Sequence, residues 1–267
     1  MILHADYHMH TPLCGHAIGE PEEYVRHGIQ CGLKEMGFSD HAPLVSHRDP
    51  KITMDFDQLP LYLNMIETVK KQFSKDITIK IALEADFIPG YEDQTRKIIE
   101  AYPYDYIIGS VHFIKTWGFD DPAERVTWNS KDVNQVYHDY YELLRKSAKS
   151  GLFHIIGHCD LVKKFGHRAT ENMFEEVKKT AQVFKETGVA IEINTAGLRK
   201  PVKEMYPSLD CLKIYCAAGV PLTFGSDAHA PNEVAKDFDK AIELAKTAGF
   251  KEYLIFKQKK IERTIKF

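Results

Sequence analysis

Asp6-Tyr7-His8-Met9-His10 follows the apolar opening Met1-Ile2-Leu3 and reads as the end of a first strand running from Ile2 to Met9. Side chains alternate along an extended chain, so positions two apart share a face. His8 and His10 therefore point the same way, and two neutral imidazoles on one face make half a metal site. A lone His-x-His also occurs in ordinary strands. What gives this one weight is repetition: the chain keeps ending short apolar runs with a His, Asp or Glu.

Glu35 to Ser39 ends at Asp40-His41, and Ile77 to Leu83 ends at Glu84. Tyr106-Ile107-Ile108-Gly109-Ser110-Val111 leads into His112, and His154-Ile155-Ile156-Gly157 into His158. Val189 to Asn194 is another strand, and Val220 to Ser226 leads into Asp227-Ala228-His229. Between these runs the spacing is helical. The first helix starts at Gly19-Glu20-Pro21, with proline and acidic residues in its first turn, and reaches Leu33. Others cover Leu59–Phe73, Tyr91–Ala101, Lys131–Lys149, Glu171–Glu186, Leu209–Ala218 and Asn232–Ala248. Ala42 to Gln58 and Phe113 to Ser130 read as long loops, the second holding both tryptophans. Tyr253 to Phe256 suits one more short strand, and Lys257 to Lys266 a solvated charged face.

Strand and helix alternate about seven times, which implies a parallel sheet with right-handed crossovers. An open, doubly wound sheet would focus its chemistry at one switch point. Here nearly every strand carries a polar residue at its C-terminal end, which favours closure into a (β/α) barrel with its site on that face.

The totals exclude several classes. There are 38 acidic against 35 basic residues and no basic block, so no long nucleic-acid track is expected. No apolar run reaches membrane-spanning length and the start lacks a signal-peptide pattern. The 5 cysteines, an odd number without Cys-x-x-Cys, argue against a disulfide framework and for a reducing cytoplasm.

The strand-end set is His8, His10, His41, Glu84, His112, His158, Asp227 and His229, joined by His16 from the first loop. Three imidazoles and a carboxylate suffice for one metal, so this set can hold two or three ions. Taken singly, each histidine is more simply a loop cap; the shared position is what argues against that. Glu84 can bridge two ions, its plain alternative being a salt bridge across the barrel mouth. Asp6, Asp40 and Asp160 adjoin these ligands and either orient ring N–H groups or cap loops. Glu192 and Asn194 share a face and either line the site or fill the mouth. Arg168 and Arg199 follow the fifth and sixth strands, where an arginine fork suits a phosphate, although surface salt bridges are the commoner fate. Lys115, Lys163 and Lys164 are less specific. Trp117, Phe119 and Trp128 suit a wall for a flat substrate or a loop mini-core, and Cys14 is a bystander.

His8-x-His10, Asp40-His41, Gly109-Ser110-Val111-His112 and Gly225-Ser226-Asp227-Ala228-His229 together resemble the four motifs of the polymerase-and-histidinol-phosphatase superfamily. The likeness spans positions 6 to 229, and the chain length with the segments Gly109–Asp121 and Gly157–Gly166 resembles the histidinol-phosphatase branch. The resemblance implies a single phosphoesterase domain over positions 1–267, folded as a distorted seven-stranded barrel. It implies a cluster of two or three divalent ions, zinc, iron or manganese. One ion takes His8, His10, Glu84 and Asp227; a second shares Glu84 and adds His112 and His158; a third takes His16, His41 and His229. The implied reaction is hydrolysis of L-histidinol phosphate by a metal-bound hydroxide, in histidine biosynthesis. Glu84, Asp227 and His229 would be catalytic, and Arg168, Arg199, Lys115 and Trp117 would meet the substrate. The expected partner is a small phosphorylated metabolite rather than nucleic acid or membrane, and the protein a monomer or dimer. The rivals are a phosphoesterase for another small phosphoester or nucleotide, a non-catalytic metal binder, and an amidohydrolase-like barrel. The last normally bridges its metals with a strand lysine, where this chain has Glu84.

Overall fold

The computed structural model describes residues 4–267. Met1, Ile2 and Leu3, and so the start of the expected first strand, lie outside the described residues. A 7-stranded parallel sheet forms the centre, in the order β1 (Ala5–Asp6), β2 (Glu35–Phe38), β3 (Thr78–Asp86), β4 (Tyr106–Ser110), β7 (Ile155–Ile156), β8 (Ala190–Asn194) and β9 (Leu222–Gly225). Every neighbouring pair is parallel.

The last strand then returns to the first. Tyr7 N–H donates to the Phe224 carbonyl (3.1 Å), Ala228 N–H to His8 (3.2 Å) and His10 N–H to Ala228 (3.0 Å), with a parallel bridge between Met9 and Ala228. The sheet is therefore a barrel, and the open-sheet alternative is excluded. Asp6 staples this seam: its buried carboxylate accepts from the amides of Ser226 and Ala235, both at 2.9 Å. It does not orient a ligand ring.

Helices α1 (Pro21–Gln30), α2 (Leu59–Gln72), α3 (Glu92–Glu100), α4 (Val133–Lys149), α5 (Phe174–Thr187), α6 (Leu209–Ala218) and α7 (Phe238–Ala248) pack outside the barrel. Helix α1 begins as its sequence suggests, with Pro21 in the first turn and a reciprocal cap between Glu20 and Glu23. Helix α7 starts later than the Asn232 expected. Pro231–Glu233 forms a separate 3-10 turn, and Ala235 and Asp237 take positive φ (55° and 62°), which breaks helical continuity before Phe238. No described helix is long and apolar enough to cross a membrane.

The segment Phe113–Ser130 is not a plain loop. It holds a hairpin of β5 (Phe113–Ile114) and β6 (Trp117–Gly118), then a 3-10 segment from Pro122 to Ser130. Buried Trp128 pins it, donating its indole N–H to the Phe119 carbonyl (2.8 Å) and packing edge-on to Trp117. The charged C-terminus likewise forms a strand, β11 (Lys260–Lys266), antiparallel to β10 (Glu252–Lys257). Its side chains are largely exposed, whereas Tyr253, Leu254, Ile255 and Phe256 of β10 are buried beneath the barrel. Phe256 N–H donates to the Tyr7 hydroxyl (3.1 Å), and Gln258 and Lys259 N–H groups reach Asp105. The hairpin thus closes the N-terminal end of the barrel and leaves the C-terminal end for chemistry.

Candidate metal centre

The expected ligand residues converge at that end. Glu84, at the mouth end of β3, stands in the middle. Its Oε2 faces His41 Nδ1 (3.0 Å), His8 Nε2 (3.2 Å) and His10 Nε2 (3.7 Å). Its Oε1 faces His158 Nε2 (2.9 Å) and His112 Nε2 (3.6 Å), and accepts from the Ser110 hydroxyl. Asp227 Oδ1 lies 3.2 Å from His10 Nε2 and 3.9 Å from His8 Nε2. His229 stacks on His10 (4.0 Å between ring centroids) and on His16 (4.6 Å).

Potential ligand atoms fall within 4.8 Å of one another in the sets His8/His10/Asp227, His41/Glu84/His112, His10/His41/His229 and Cys14/His16/His229. The first matches the expected first ion. His41 sits between the second and third groups, and Cys14 is closer to the cluster than a bystander would be.

The donors suit divalent cations. His8 Nε2, His10 Nε2 and Glu84 Oε2 are buried without any hydrogen-bond partner, a costly state for polar atoms unless something binds them. The opposite ring nitrogens are occupied. His8 Nδ1 is 3.0 Å from both Glu192 oxygens, His10 Nδ1 3.3 Å from Asp40, and His112 Nδ1 2.9 Å from Asp86. His16 Nδ1 meets the Cys14 carbonyl (3.0 Å) and His229 Nδ1 the Asp227 carbonyl (3.1 Å). With Nδ1–H donating, Nε2 is left bare toward the cluster, as a ligand histidine requires.

Charge divides the cluster. Burial alone would raise the carboxyl pKa of Glu84 and Asp227, but facing imidazoles, His8 foremost, hold both well below the usual range. In turn, burial lowers His10 and His112, but facing carboxylates outweigh it and lift them to about 9 and about 10. His16, exposed at the rim yet partly desolvated by the surrounding protein and beside His41 and His10, falls to about 4. Without cations the carboxylate half stores protons, which cations displace on binding.

The substrate candidates separate. Arg199 lies against the cluster: Nε pairs with Glu233 (3.0 Å), and Nη2 donates to the Ser226 (2.7 Å) and Asp227 (3.2 Å) carbonyls. Its Nη1 is buried with no partner. Arg168 is half-exposed and spent on Glu204 (2.7 Å). Lys115 is exposed at the β5–β6 turn, lining a groove with His47 and Tyr91 rather than the cluster. Trp117 is part of the aromatic packing with Trp128, under the Lys131 ammonium (4.9 Å).

Lys163 is a buried tether between Asp160 (2.7 Å) and the Met205 carbonyl (2.7 Å), which accounts for Asp160 as well. Asp40 does orient a ligand, and Glu192 does so for His8 while accepting from His158 N–H (2.9 Å) and Asn194 (2.8 Å). Asp86 escaped the sequence reading, although it lies two residues past Glu84 on the same face of one strand. Lys200, partly buried with its pKa lowered by burial near Asp227, escaped as well.

Bare imidazole nitrogens around a central carboxylate, at the mouth of a (β/α) barrel, define a protein built to bind divalent metal. Residues 6–196 match the PHP domain family. The probable histidinol-phosphatase of Deinococcus radiodurans is 41% identical over 244 residues, covering 91% of this chain and 93% of that one. The histidinol-phosphatase of Bacillus subtilis is 29% identical over 262 residues, 89% of this chain and 98% of that one. The solved histidinol phosphate phosphatase of Lactococcus lactis, in complex with zinc, L-histidinol and phosphate, superposes with a TM-score of 0.82 at 25% identity, over 97% of this chain and 98% of that one. The chain belongs to the PHP family, in its histidinol-phosphatase branch.

Proposed function

We propose that this chain hydrolyses L-histidinol phosphate to L-histidinol and phosphate, as a metal-dependent phosphomonoesterase of histidine biosynthesis acting as one domain in the cytoplasm. The observation that carries the reading is the Arg199 N–H group, buried without an acceptor beside a ligand set whose bare nitrogens face Glu84. An anion with several oxygens fits between such a donor and such a cluster. The Lactococcus lactis neighbour holds zinc, histidinol and phosphate.

His8, His10, Glu84 and Asp227 would hold one cation, Glu84, His112 and His158 a second, and His16, His41 and His229 a third. Two or three zinc, iron or manganese ions supply, when bound, the Lewis acidity that makes a water nucleophilic near neutral pH. The chain's own side chains do the rest. Arg199 donates Nη1 to a phosphoryl oxygen, and its ties to Glu233 and to two backbone carbonyls hold the fork in place before substrate arrives. Asp227, 15% exposed, keeps Oδ2 on Asn194 (3.3 Å) and turns Oδ1 inward toward His10 Nε2 (3.2 Å), where it would complete the first ligand set. Glu192, Asp40 and Asp86 keep the imidazoles aimed.

The test is phosphate release from histidinol phosphate, nucleoside monophosphates and a phosphodiester, with elemental analysis of the same preparation. Preference for histidinol phosphate with bound divalent metal supports the reading. Preference for a nucleotide or diester overturns the substrate, and no turnover by metal-loaded protein overturns the enzyme. Turnover that survives Glu84→Ala or His10→Ala with metal content unchanged would rule out the cluster.

A further inference from the structure

Resting on that reading, we propose that Asp120 is the residue that recognises the substrate's ammonium group. In histidinol phosphate the ammonium sits on the carbon next to the ester methylene. Its reader must therefore lie just outside the phosphoryl site and carry negative charge.

The carboxylates near the mouth are otherwise committed. Glu84 and Asp227 face the imidazoles, and Glu192, Asp40 and Asp86 hold ring N–H groups. Asp160 is held by Lys163 and the Ser208 amide, and Glu233 by Arg199 and the His229 amide.

Asp120 differs. It follows the β5–β6 hairpin, with its side chain 17% exposed. Oδ2 takes the Lys164 ammonium at 2.9 Å, and Oδ1 has no hydrogen bond among the described residues. A carboxylate oxygen in that state can accept a second ammonium. The preceding residue, Phe119, donates its N–H to the His112 carbonyl (3.2 Å), and His112 faces Glu84 Oε1 (3.6 Å), which sets Asp120 beside the Glu84 side of the cluster. The loop that carries it is braced. Trp128 stacks on His167 at 4.5 Å and 9°, and the Arg125 guanidinium lies over Phe165 at 5.6 Å. Both contacts cross to the segment that holds Lys164, so the acceptor is in place before substrate arrives.

The alternative is that Asp120 only positions Lys164. The two roles predict different selectivity. Histidinol phosphate is compared with its deamino analogue, 3-(imidazol-4-yl)propyl phosphate, in wild type, Asp120→Asn and Lys164→Met. If Asp120 reads the amine, Asp120→Asn lowers kcat/KM for histidinol phosphate by about tenfold to a hundredfold, mainly through KM, with the analogue within about threefold. Product inhibition by L-histidinol weakens in parallel, while inhibition by inorganic phosphate does not change. Lys164→Met lowers both substrates alike. Equal losses on both substrates in Asp120→Asn overturn the assignment. Absence of wild-type turnover on histidinol phosphate overturns the parent reading and this one together. Asp120→Ser, read through the same substrate ratio, replaces Asp120→Asn if that variant does not fold.

Discussion

Glu192 never meets the proposed cations, yet Glu192→Gln should weaken metal binding by about tenfold to a hundredfold. The carboxylate accepts three N–H groups. Oε1 takes His158 N–H (2.9 Å) and Asn194 Nδ2 (2.8 Å), and both oxygens lie 3.0 Å from His8 Nδ1. Glutamine has nearly the same shape but one acceptor and one NH2. Keeping the amide oxygen toward His158 and Asn194 turns the NH2 toward His8 Nδ1. The His8 N–H then faces that NH2 and must share the single amide oxygen with two other donors, unless the His8 proton moves to Nε2. A protonated Nε2 cannot bind a cation, so each arrangement weakens the ligand. The opposite amide orientation sets the NH2 against two N–H donors and is worse. The loss of one charge-assisted hydrogen bond, about 1.5–3 kcal/mol, corresponds to the stated range of affinity. The assay is competition for zinc against a chelating indicator, with wild type and Glu192→Gln compared at one pH. An affinity within about twofold of wild type would refute the argument that Glu192 sets the His8 tautomer.

Gly225→Ala should lose metal and lower Tm, because the added Cβ would lie 2.5 Å from both Glu192 Oε2 and His8 Cβ; overpacking of this kind costs about 1–3 kcal/mol, and elemental analysis with a thermal melt checks it. Lys163→Met should destabilise by about 3–5 kcal/mol in urea titration, since buried Asp160 loses its partner at 2.7 Å; a variant as stable as wild type would contradict the tether. Arg199→Lys, lacking the fork, should cut kcat/KM by about tenfold or more with metal content intact, whereas unchanged kinetics would remove Arg199 from phosphate binding. His154, whose Nδ1 accepts from Ile107 N–H (3.1 Å), has its pKa pushed down to about 4, first by burial and then by Lys259. The folded value lies below the unfolded one of about 6.5, so stability is unaffected above that pH and is lost as pH falls toward 4, by about 3 kcal/mol in all. Denaturation midpoints across that window should flatten in His154→Gln, and a wild-type profile without the fall would count against a neutral buried His154.

The strands and the histidines and carboxylates that converge at the barrel mouth were legible because both are local signals. An apolar run announces a strand, and its last polar residue announces the face of the barrel. Seven repeats of that device imply closure, and the hydrogen bonds from His10 and Tyr7 to Ala228 and Phe224 supply it. Three features were hidden because each depends on packing between distant segments. Asp6 looks like an orienting group beside His8, yet it is the Ser226 and Ala235 amides, brought by closure, that claim it. The tail from Lys257 looks solvated because β11 is solvated; only the buried face of β10 reveals a plug. Arg168 and Arg199 look alike in sequence, and the position of Glu204 rather than any local pattern takes Arg168 away.

The orienting carboxylates follow a rule that the sequence alone could not express. His10 follows β1 and is held by Asp40, which follows β2, the strand beside it; His112 follows β4 and is held by Asp86 at the end of β3. In each case the carboxylate comes from the adjacent strand, within reach at strand spacing. His8 breaks the pattern. Its carboxylate, Glu192, lies on β8, and β9 runs between β8 and the seam with β1. Contact across an intervening strand needs a gap in the side-chain layer, and Gly225 makes it, since a Cβ there would collide with both partners. The glycine of Gly225-Ser226-Asp227 therefore does steric work for the metal site. It stands opposite Asn194 in the β8–β9 register, and Asn194 bonds both Glu192 and Asp227. One residue without a side chain thus lets His8 be held by a carboxylate 184 positions further along the chain, so the first half of the His8-Met9-His10 motif depends on β8 and β9 for its ring orientation.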